Sequence, residues 1–83
     1  MAAWTVLYND ALATWEAAEP RPSDEVFAVL SWVLQVVDHG PPDDSLPLPL
    51  SEDLYLSRVQ GTGILVTFLA LVYERRVVIR SID

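Results

Sequence analysis

Residues 54–83 read LYLSRVQGTGILVTFLALVYERRVVIRSID, and this stretch decides the fold. It contains three runs rich in β-branched, aromatic and aliphatic residues, a composition that favours strands. The segment Gly61-Thr62-Gly63 separates the first two runs and supplies two residues that are free to take positive φ, as tight hairpin turns require. The charged segment Glu74-Arg75-Arg76 separates the second run from the third. The stretch therefore predicts a three-stranded antiparallel meander.

The part of the chain before the meander predicts one more strand and a helical hairpin. Asp10 and Ser23 are good N-cap residues for the two helices. Gly40 is placed for a left-handed cap at the end of the second helix, and Pro41 forbids its continuation. The predicted elements are a strand at Trp4–Tyr8, a helix from Ala11 to about Glu19, a helix from Ser23 to Asp38 or His39, and strands at Leu54–Val59, Leu65–Tyr73 and Val77–Ile82.

The order β-α-α-β-β-β predicts an α+β fold, in which a helical hairpin packs on one face of a four-stranded, mainly antiparallel sheet. A chain of 83 residues is expected to form a single domain, residues 1–83. The second helix is apolar on more than one side: one face presents Phe27, Leu30, Leu34 and Val37, and Val26, Val29, Trp32, Val33 and Val36 fill much of the rest. We expect this helix to lie between the sheet and the first helix, or to take part in a dimer contact.

Residues 41–53 read PPDDSLPLPLSED and contain four prolines, so regular structure is not expected there. Extended or polyproline-like backbone is predicted, with Leu46, Leu48 and Leu50 attaching the loop to the domain. A proline-rich docking motif for a partner is the alternative interpretation. The acidic residues of this region match no calcium-loop spacing, and we expect solvated side chains for Asp43, Asp44, Glu52 and Asp53.

The charge is distributed unevenly along the chain. There is no lysine, and the net charge is −7. Residues 1–57 carry ten acidic residues and one arginine, whereas residues 58–83 carry four arginines and two acidic residues. A protein that grips nucleic-acid phosphates normally carries an excess of Lys and Arg. The composition therefore argues against direct nucleic-acid binding by the chain as a whole, and leaves room for a local basic patch on the C-terminal sheet.

The absence of cysteine excludes a disulfide-built secreted domain and a thiolate metal site. Residues 1–4 have no basic residue and no long apolar core, unlike a signal peptide. The longest uncharged apolar stretch, Ile64 to Tyr73, is about half as long as a membrane span. A cytoplasmic protein with no membrane segment is the expectation. We interpret His39, the lone histidine, as a capping residue at a helix C-terminus, so no metal site and no cofactor are predicted.

The segment Asp53-Leu54-Tyr55-Leu56-Ser57-Arg58-Val59 resembles the strand that opens the meander in the RelE/ParE superfamily of type II toxin–antitoxin systems. In that family a strand ending in Tyr, a short charged turn and a Val-rich strand with an arginine follow, similar to Leu65–Tyr73, Glu74–Arg76 and Val77–Ile82 here. The N-terminal strand, the helical hairpin and the proline-containing connector also fit, so the resemblance covers nearly the whole chain. It implies a toxin or a catalytically degenerate relative.

The resemblance implies two activities, cleavage of messenger RNA in the ribosome by RelE-like members and inhibition of DNA gyrase by ParE-like members. An antitoxin silences both kinds. For RNA cleavage, sheet arginines would stabilise the phosphorane, which implies Arg58 and Arg80 as candidate catalytic residues. Three departures argue against this endoribonuclease: residues 51–53 are Ser-Glu-Asp where those enzymes carry lysines, the late Tyr or His of their tail is absent after Asp83, and the overall charge has the wrong sign for ribosome binding.

The predicted central strand is apolar on both faces. Its alternating residues are Ile64, Val66, Phe68, Ala70 and Val72 on one side and Leu65, Thr67, Leu69, Leu71 and Tyr73 on the other. Because the helices cover only one face, the second must meet a partner, a second copy or the 41–53 loop. The predicted partner-binding residues are Leu65, Leu69, Leu71, Tyr73, Arg75 and Arg76.

Three functional hypotheses follow from these patterns. The first is a toxin-superfamily protein that binds a protein partner through its C-terminal sheet, either as a toxin paired with an antitoxin or as a catalytically degenerate relative. The second is a ribosome-dependent mRNA endoribonuclease that uses Arg58 and Arg80. The third is a stand-alone homodimeric interaction module.

Overall fold

A computed structural model describes residues 3–8, 10–49 and 52–83. Within these residues, two helices pack on one face of a five-stranded mixed sheet, and the predicted α+β class is confirmed. The helices are α1 (Ala11–Ala18) and α2 (Ser23–His39), and the strands are β1 (Thr5–Leu7), β2 (Leu46–Pro47), β3 (Leu54–Arg58), β4 (Leu65–Leu71) and β5 (Arg76–Ile82). Leu50, which is predicted to attach the proline-rich loop to the domain, and Ser51, which stands where the endoribonucleases carry a lysine, lie outside the described residues.

The strand order across the sheet is β1-β5-β4-β3-β2. The meander β3-β4-β5 is antiparallel as predicted, and β1 joins β5 in parallel, with Val6 opposite Val77. The sheet has one strand more than predicted, because Leu46–Pro47 pairs with β3 inside the proline-rich connector. Proline is compatible with this position, since an edge strand needs hydrogen-bond partners on one side only.

The hydrophobic core lies between the helices and one face of the sheet. Trp32 of α2 joins the two layers: its indole Nε1–H donates to Ser57 Oγ at 3.1 Å, and its ring lies edge-on to Phe68 at 5.5 Å. The buried apolar side chains among the described residues are Trp15, Val29, Trp32, Val33, Val36, Val59, Ile64, Val66, Phe68, Ala70, Val77, Ile79 and Ile82. On β3, Ser57 and Val59 face inward, so Leu54, Leu56 and Arg58 lie on the opposite face of the sheet.

The packing of α2 differs from the prediction. Its buried face is formed by Val29, Trp32, Val33 and Val36, whereas Phe27 and Leu34 are exposed. The expected position between the sheet and the first helix is wrong, because α1 packs directly against β5. The two apolar stripes of α2 have the same helical spacing, so periodicity alone could not tell which one faces the sheet.

The helix ends also differ from the predicted caps. Neither Asp10 nor Ser23 makes a side-chain capping bond, and the carbonyl of Pro22 instead accepts the N–H groups of Glu25 and Val26. Gly40 has the expected positive φ of 83°, and its N–H donates to the Val36 carbonyl. Its ψ of −174° is extended rather than left-handed helical, because a following proline disfavours helical backbone at the preceding residue.

Replacing Ser57 by alanine is expected to lower the free energy of unfolding by about 1–3 kcal/mol, the usual penalty for a buried donor without a partner. Ser57 is only 2% exposed, so water cannot replace its hydroxyl as the acceptor for the Trp32 indole N–H. Urea denaturation of the purified protein measures the change. The matched control is Ser31→Ala, at an exposed position of α2, which should change the value by less than about 0.5 kcal/mol. Equal stability of the two variants would contradict a structural role for this bond.

Replacing Gly40 by alanine is expected to destabilise the fold by about 1–3 kcal/mol, because the combination of positive φ and extended ψ is accessible almost only to glycine. An added Cβ would also lie 2.7 Å from Trp4 Nε1, so the indole must move. The control is Gly63→Ala, at a position with negative φ and open space around the new methyl group. Thermal unfolding followed by circular dichroism should show a lower midpoint for Gly40→Ala alone, and a shared drop would contradict the assignment.

Candidate functional site

The face of the sheet that turns away from the helices is the candidate functional site, and we call it the open face. It is formed by Leu54, Leu56, Leu65, Leu69, Leu71 and Val78. These residues alternate with the inward-facing core residues of the same strands, and all of them remain at least partly exposed. Cross-strand pairing places Leu54, Leu69, Val78 and Leu7 in one row across four neighbouring strands. The strands of the meander thus assemble a continuous apolar surface.

Polar groups on the open face are few and are placed at its centre and its ends. Thr67 lies opposite Ser81 on β5 and forms the polar centre. Arg58 pairs with Leu65 at one end of β4, and Arg76 pairs with Leu71 at the other end. These two positions are six residues apart along β4, which corresponds to about 20 Å at the usual rise per residue. Two exposed arginines therefore bracket the leucines along the strand direction.

The residues predicted for partner binding lie partly on this face and partly beside it. Leu65, Leu69 and Leu71 are on the open face, as the alternation along the strand predicted. The strand ends at Leu71, two residues earlier than predicted, so Tyr73 lies in a 3₁₀ turn at Val72–Glu74 and is fully exposed. Arg75 closes this turn in the left-handed conformation, with φ of 50°.

Arg58 and Arg80, the candidate catalytic residues, line different cavities. Arg58 lies at the end of β3, where alternation puts it on the open-face side, and it also borders a cavity of about 590 Å³ beside α2 together with Trp32, Gln35 and Asp44. Arg80 is the extra residue of a bulge in β5, because Phe68 pairs with Ile79 and the preceding Thr67 pairs with Ser81. The two guanidinium groups are therefore not arranged around one cavity.

The cavity beside Arg80 has mixed charge. It measures about 400 Å³ and lies between α1 and the end of β5, where Arg21, Asp10 and Asp83 also line it. Arg21 is already engaged, since its guanidinium lies 3.1 Å from Glu19 Oε1 and 4.7 Å from the centre of the Trp15 ring. Two arginines and two aspartates leave this cavity without a clear preference for an anion.

Two further features bear on the predicted chemistry. Within residues 3–8, 10–49 and 52–83, no three acidic or histidine side chains come together as they would around a metal ion. In the same part of the chain, neither helix is both long and apolar enough to cross a membrane. His39 is exposed in the last turn of α2, where the Gly40 N–H, rather than the imidazole, satisfies the Val36 carbonyl.

Two parts of the open face were missed by sequence reasoning. Val78 on β5 and Leu54 and Leu56 on β3 join the leucines of β4, but they were not named as partner-binding residues. Their alternation was readable from the sequence, since Ser57 and Val59 mark the opposite face of β3. The row could not be assembled, because the pairing of Leu69 with Val78 depends on where β4 ends, and the predicted strand continued to Tyr73, whereas a 3₁₀ turn begins at Val72.

Two solved structures from E. coli have this architecture. A chain of the intact RelBE toxin–antitoxin complex superimposes with a TM-score of 0.72 at 15% sequence identity, covering 98% of this chain and 95% of that one. The toxin RelE, as an arginine-to-alanine double mutant in the free state, gives a TM-score of 0.71 at 15% identity, covering 100% of this chain and 83% of the other. No protein-family model and no curated protein matches this sequence. The chain therefore has the RelE toxin fold, which the meander motifs predicted.

Proposed function

We propose that this chain is a RelE-like toxin-superfamily protein that acts by binding an antitoxin-like protein partner through the open face. The observation that carries the proposal is the leucine surface itself: Leu54, Leu69 and Val78 form the middle of a row that neither helix covers. Apolar surface of this kind on a small domain marks a site for another protein. A chain of the RelBE toxin–antitoxin complex has this fold, and that complex supplies the precedent for a toxin bound by an antitoxin.

The chemistry of the open face favours protein over RNA as its ligand. Binding to a phosphate backbone requires several cations on one surface, whereas the centre of this face carries leucines, Thr67 and Ser81. Arg58 and Arg80 line separate cavities, so they are not placed to act together on one phosphate. The mRNA endoribonuclease hypothesis thus gains no support from the position of its two candidate residues.

The arginines at the ends of the open face indicate which charges a complementary partner would carry. Arg58 and Arg76 lie about 20 Å apart along β4, so a segment with apolar side chains in the middle and acidic side chains at its ends would complement the surface. Each leucine of the open face is at most 37% exposed, so covering it fully would contribute less than about 1 kcal/mol, a third of the usual range for a large apolar side chain. Several such side chains are enough to hold a partner segment in place.

A second copy of the chain is a poorer occupant of the open face. Two open faces that meet would place leucines of one copy against leucines of the other, without giving Arg58 and Arg76 acidic partners from within that surface. Each copy also carries a net charge of −7, which adds repulsion. These charges favour a heterotypic partner over the homodimeric module.

Replacing Leu69 by glutamate is expected to abolish partner binding, since it places a charge in the centre of the apolar row. The test expresses the chain in a bacterial host, alone and together with the product of the adjacent reading frame. The wild-type chain should arrest growth, the neighbour should rescue growth and co-purify, and Leu69→Glu should no longer retain the neighbour.

The matched control is Leu34→Glu, on the opposite side of the domain, which should still retain the neighbouring protein. Binding of an apolar dye to the purified chain should also fall in Leu69→Glu. Normal growth with no complex would refute the proposal.

Replacing Arg80 by alanine separates partner binding from RNA cleavage. The partner-binding proposal expects unchanged growth arrest and unchanged complex formation, because Arg80 lines the α1–β5 cavity rather than the open face. Arg58→Ala removes one rim charge and should weaken the complex by no more than about 1 kcal/mol, the usual range for an exposed ion pair. Primer extension on cellular mRNA measures cleavage in the same cultures. Cleavage that both variants abolish, in folded protein, would establish the endoribonuclease instead.

A further inference from the structure

We infer that the outward side of α2 is a second docking surface, and that it takes an amphipathic helix with lysines or arginines beside its apolar stripe. This surface lies on the layer opposite the open face and is independent of the function proposed for the sheet. It is formed by four apolar residues that we call the outward stripe: Phe27, Leu30, Leu34 and Val37.

The outward stripe has the spacing of a coiled-coil seam. Its members follow one another at intervals of three, four and three residues, which are the a and d positions of two heptads. Phe27 is 68% exposed and Leu34 is 64% exposed, while Leu30 and Val37 are half-buried beside the core. Phe27 and Leu34 are seven residues apart, so their side chains leave the helix in nearly the same direction. Anchors repeated in this way are typical of surfaces that accept a partner helix.

One flank of the outward stripe is acidic. Asp24, Ser31 and Asp38 are spaced by seven residues, occupy the e positions of the same heptads and are all exposed. The g positions on the other flank are Val26 and Val33, which pack toward the core. A partner helix therefore approaches from the acidic side, and its own flanking residues meet Asp24 and Asp38. Charges at these positions select coiled-coil partners, so two aspartates select lysine or arginine.

A second copy of α2 does not satisfy this surface. In an antiparallel pair, the e positions of the two helices face each other, which would bring Asp24 close to Asp38 of the other copy. In a parallel pair, each e position faces a g position, and Val26 and Val33 are held inside their own domain. Like-charge contact opposes the first arrangement and the bulk of the domain opposes the second.

The length of the outward stripe also indicates how long the bound part of the partner helix would be. From Phe27 to Val37 the surface extends about 15 Å along the helix axis. An isolated helix of this length is marginal in water, so the partner segment is expected to gain its helical structure on binding. α2 itself is already fixed in orientation by Trp32, and only the partner loses conformational freedom.

The test uses two fluorescein-labelled synthetic peptides of three heptads with leucine at every a and d position. One carries lysine at the flanking positions and the other carries glutamate. Fluorescence anisotropy with the full chain at low salt should show the lysine peptide binding about tenfold more tightly than the glutamate peptide, with the difference shrinking as salt is added. Leu34→Glu should remove binding of the lysine peptide, and Leu69→Glu on the open face should leave it unchanged.

Matched charge variants separate the surface from the general acidity of the chain. Asp24→Asn with Asp38→Asn should weaken the lysine peptide about tenfold, whereas Asp43→Asn with Asp44→Asn, which changes the net charge equally, should have little effect. Equal weakening by both pairs, equal binding of the two peptides, or full binding to folded Leu34→Glu would overturn the proposal. Light scattering tests whether a second copy of the chain occupies the outward stripe instead. A wild-type dimer that becomes a monomer in Leu34→Glu would show that it does, and would overturn the proposal.

Discussion

The contact between Trp32 and the sheet determines which surfaces of this domain are free. The indole donates to Ser57 and lies against Phe68, so a single side chain fixes both the rotation of α2 about its own axis and the face of the sheet that the helices cover. The open face and the outward stripe are what remains on the two sides of this contact. Because the donor and the acceptor are both buried, any rotation of α2 that exposes the stripe differently would leave an unpaired polar group in the core.

Much of the fold could be predicted from the sequence, because the meander carries strong local signals. The alternation of side chains along β4 predicted which leucines share the open face. The motif at residues 53–59 predicted the RelE-like architecture. Periodicity failed for α2, where two stripes fit equally well and the Trp32–Ser57 bond chooses between them. Composition did not predict the edge strand at Leu46–Pro47, because proline occurs in edge strands as well as in loops. The pairing of Arg58 with Arg80 as one catalytic site was a prediction from resemblance, and the bulge at Arg80 places the two arginines in separate cavities.

The two apolar surfaces differ in the sign of the charge beside them. Arginines border the open face, whereas aspartates border the outward stripe, although the chain as a whole is strongly acidic. This separation follows the sequence directly, since the arginines are concentrated in residues 58–83 and the acidic residues in residues 1–57. The two proposed docking surfaces therefore suit ligands of opposite charge on opposite layers of the domain, and such ligands would not compete for one surface.

Pro47 has a consequence for how the domain meets other chains. Strand β2 forms one border of the sheet with two residues, one of which has no N–H to offer, and β1 forms the other border with three. Among the described residues, β1 and β2 are each too short to offer a long row of free backbone groups on which a neighbouring chain could continue the sheet, and the bulge at Arg80 interrupts the outer edge of β5 beyond β1. Growth into an extended multi-chain sheet is thus disfavoured even though a leucine surface is exposed. Under the proposed function, recognition of a partner would rest on side-chain shape and charge, which distinguish one partner sequence from another, rather than on backbone pairing, which nearly any sequence can provide.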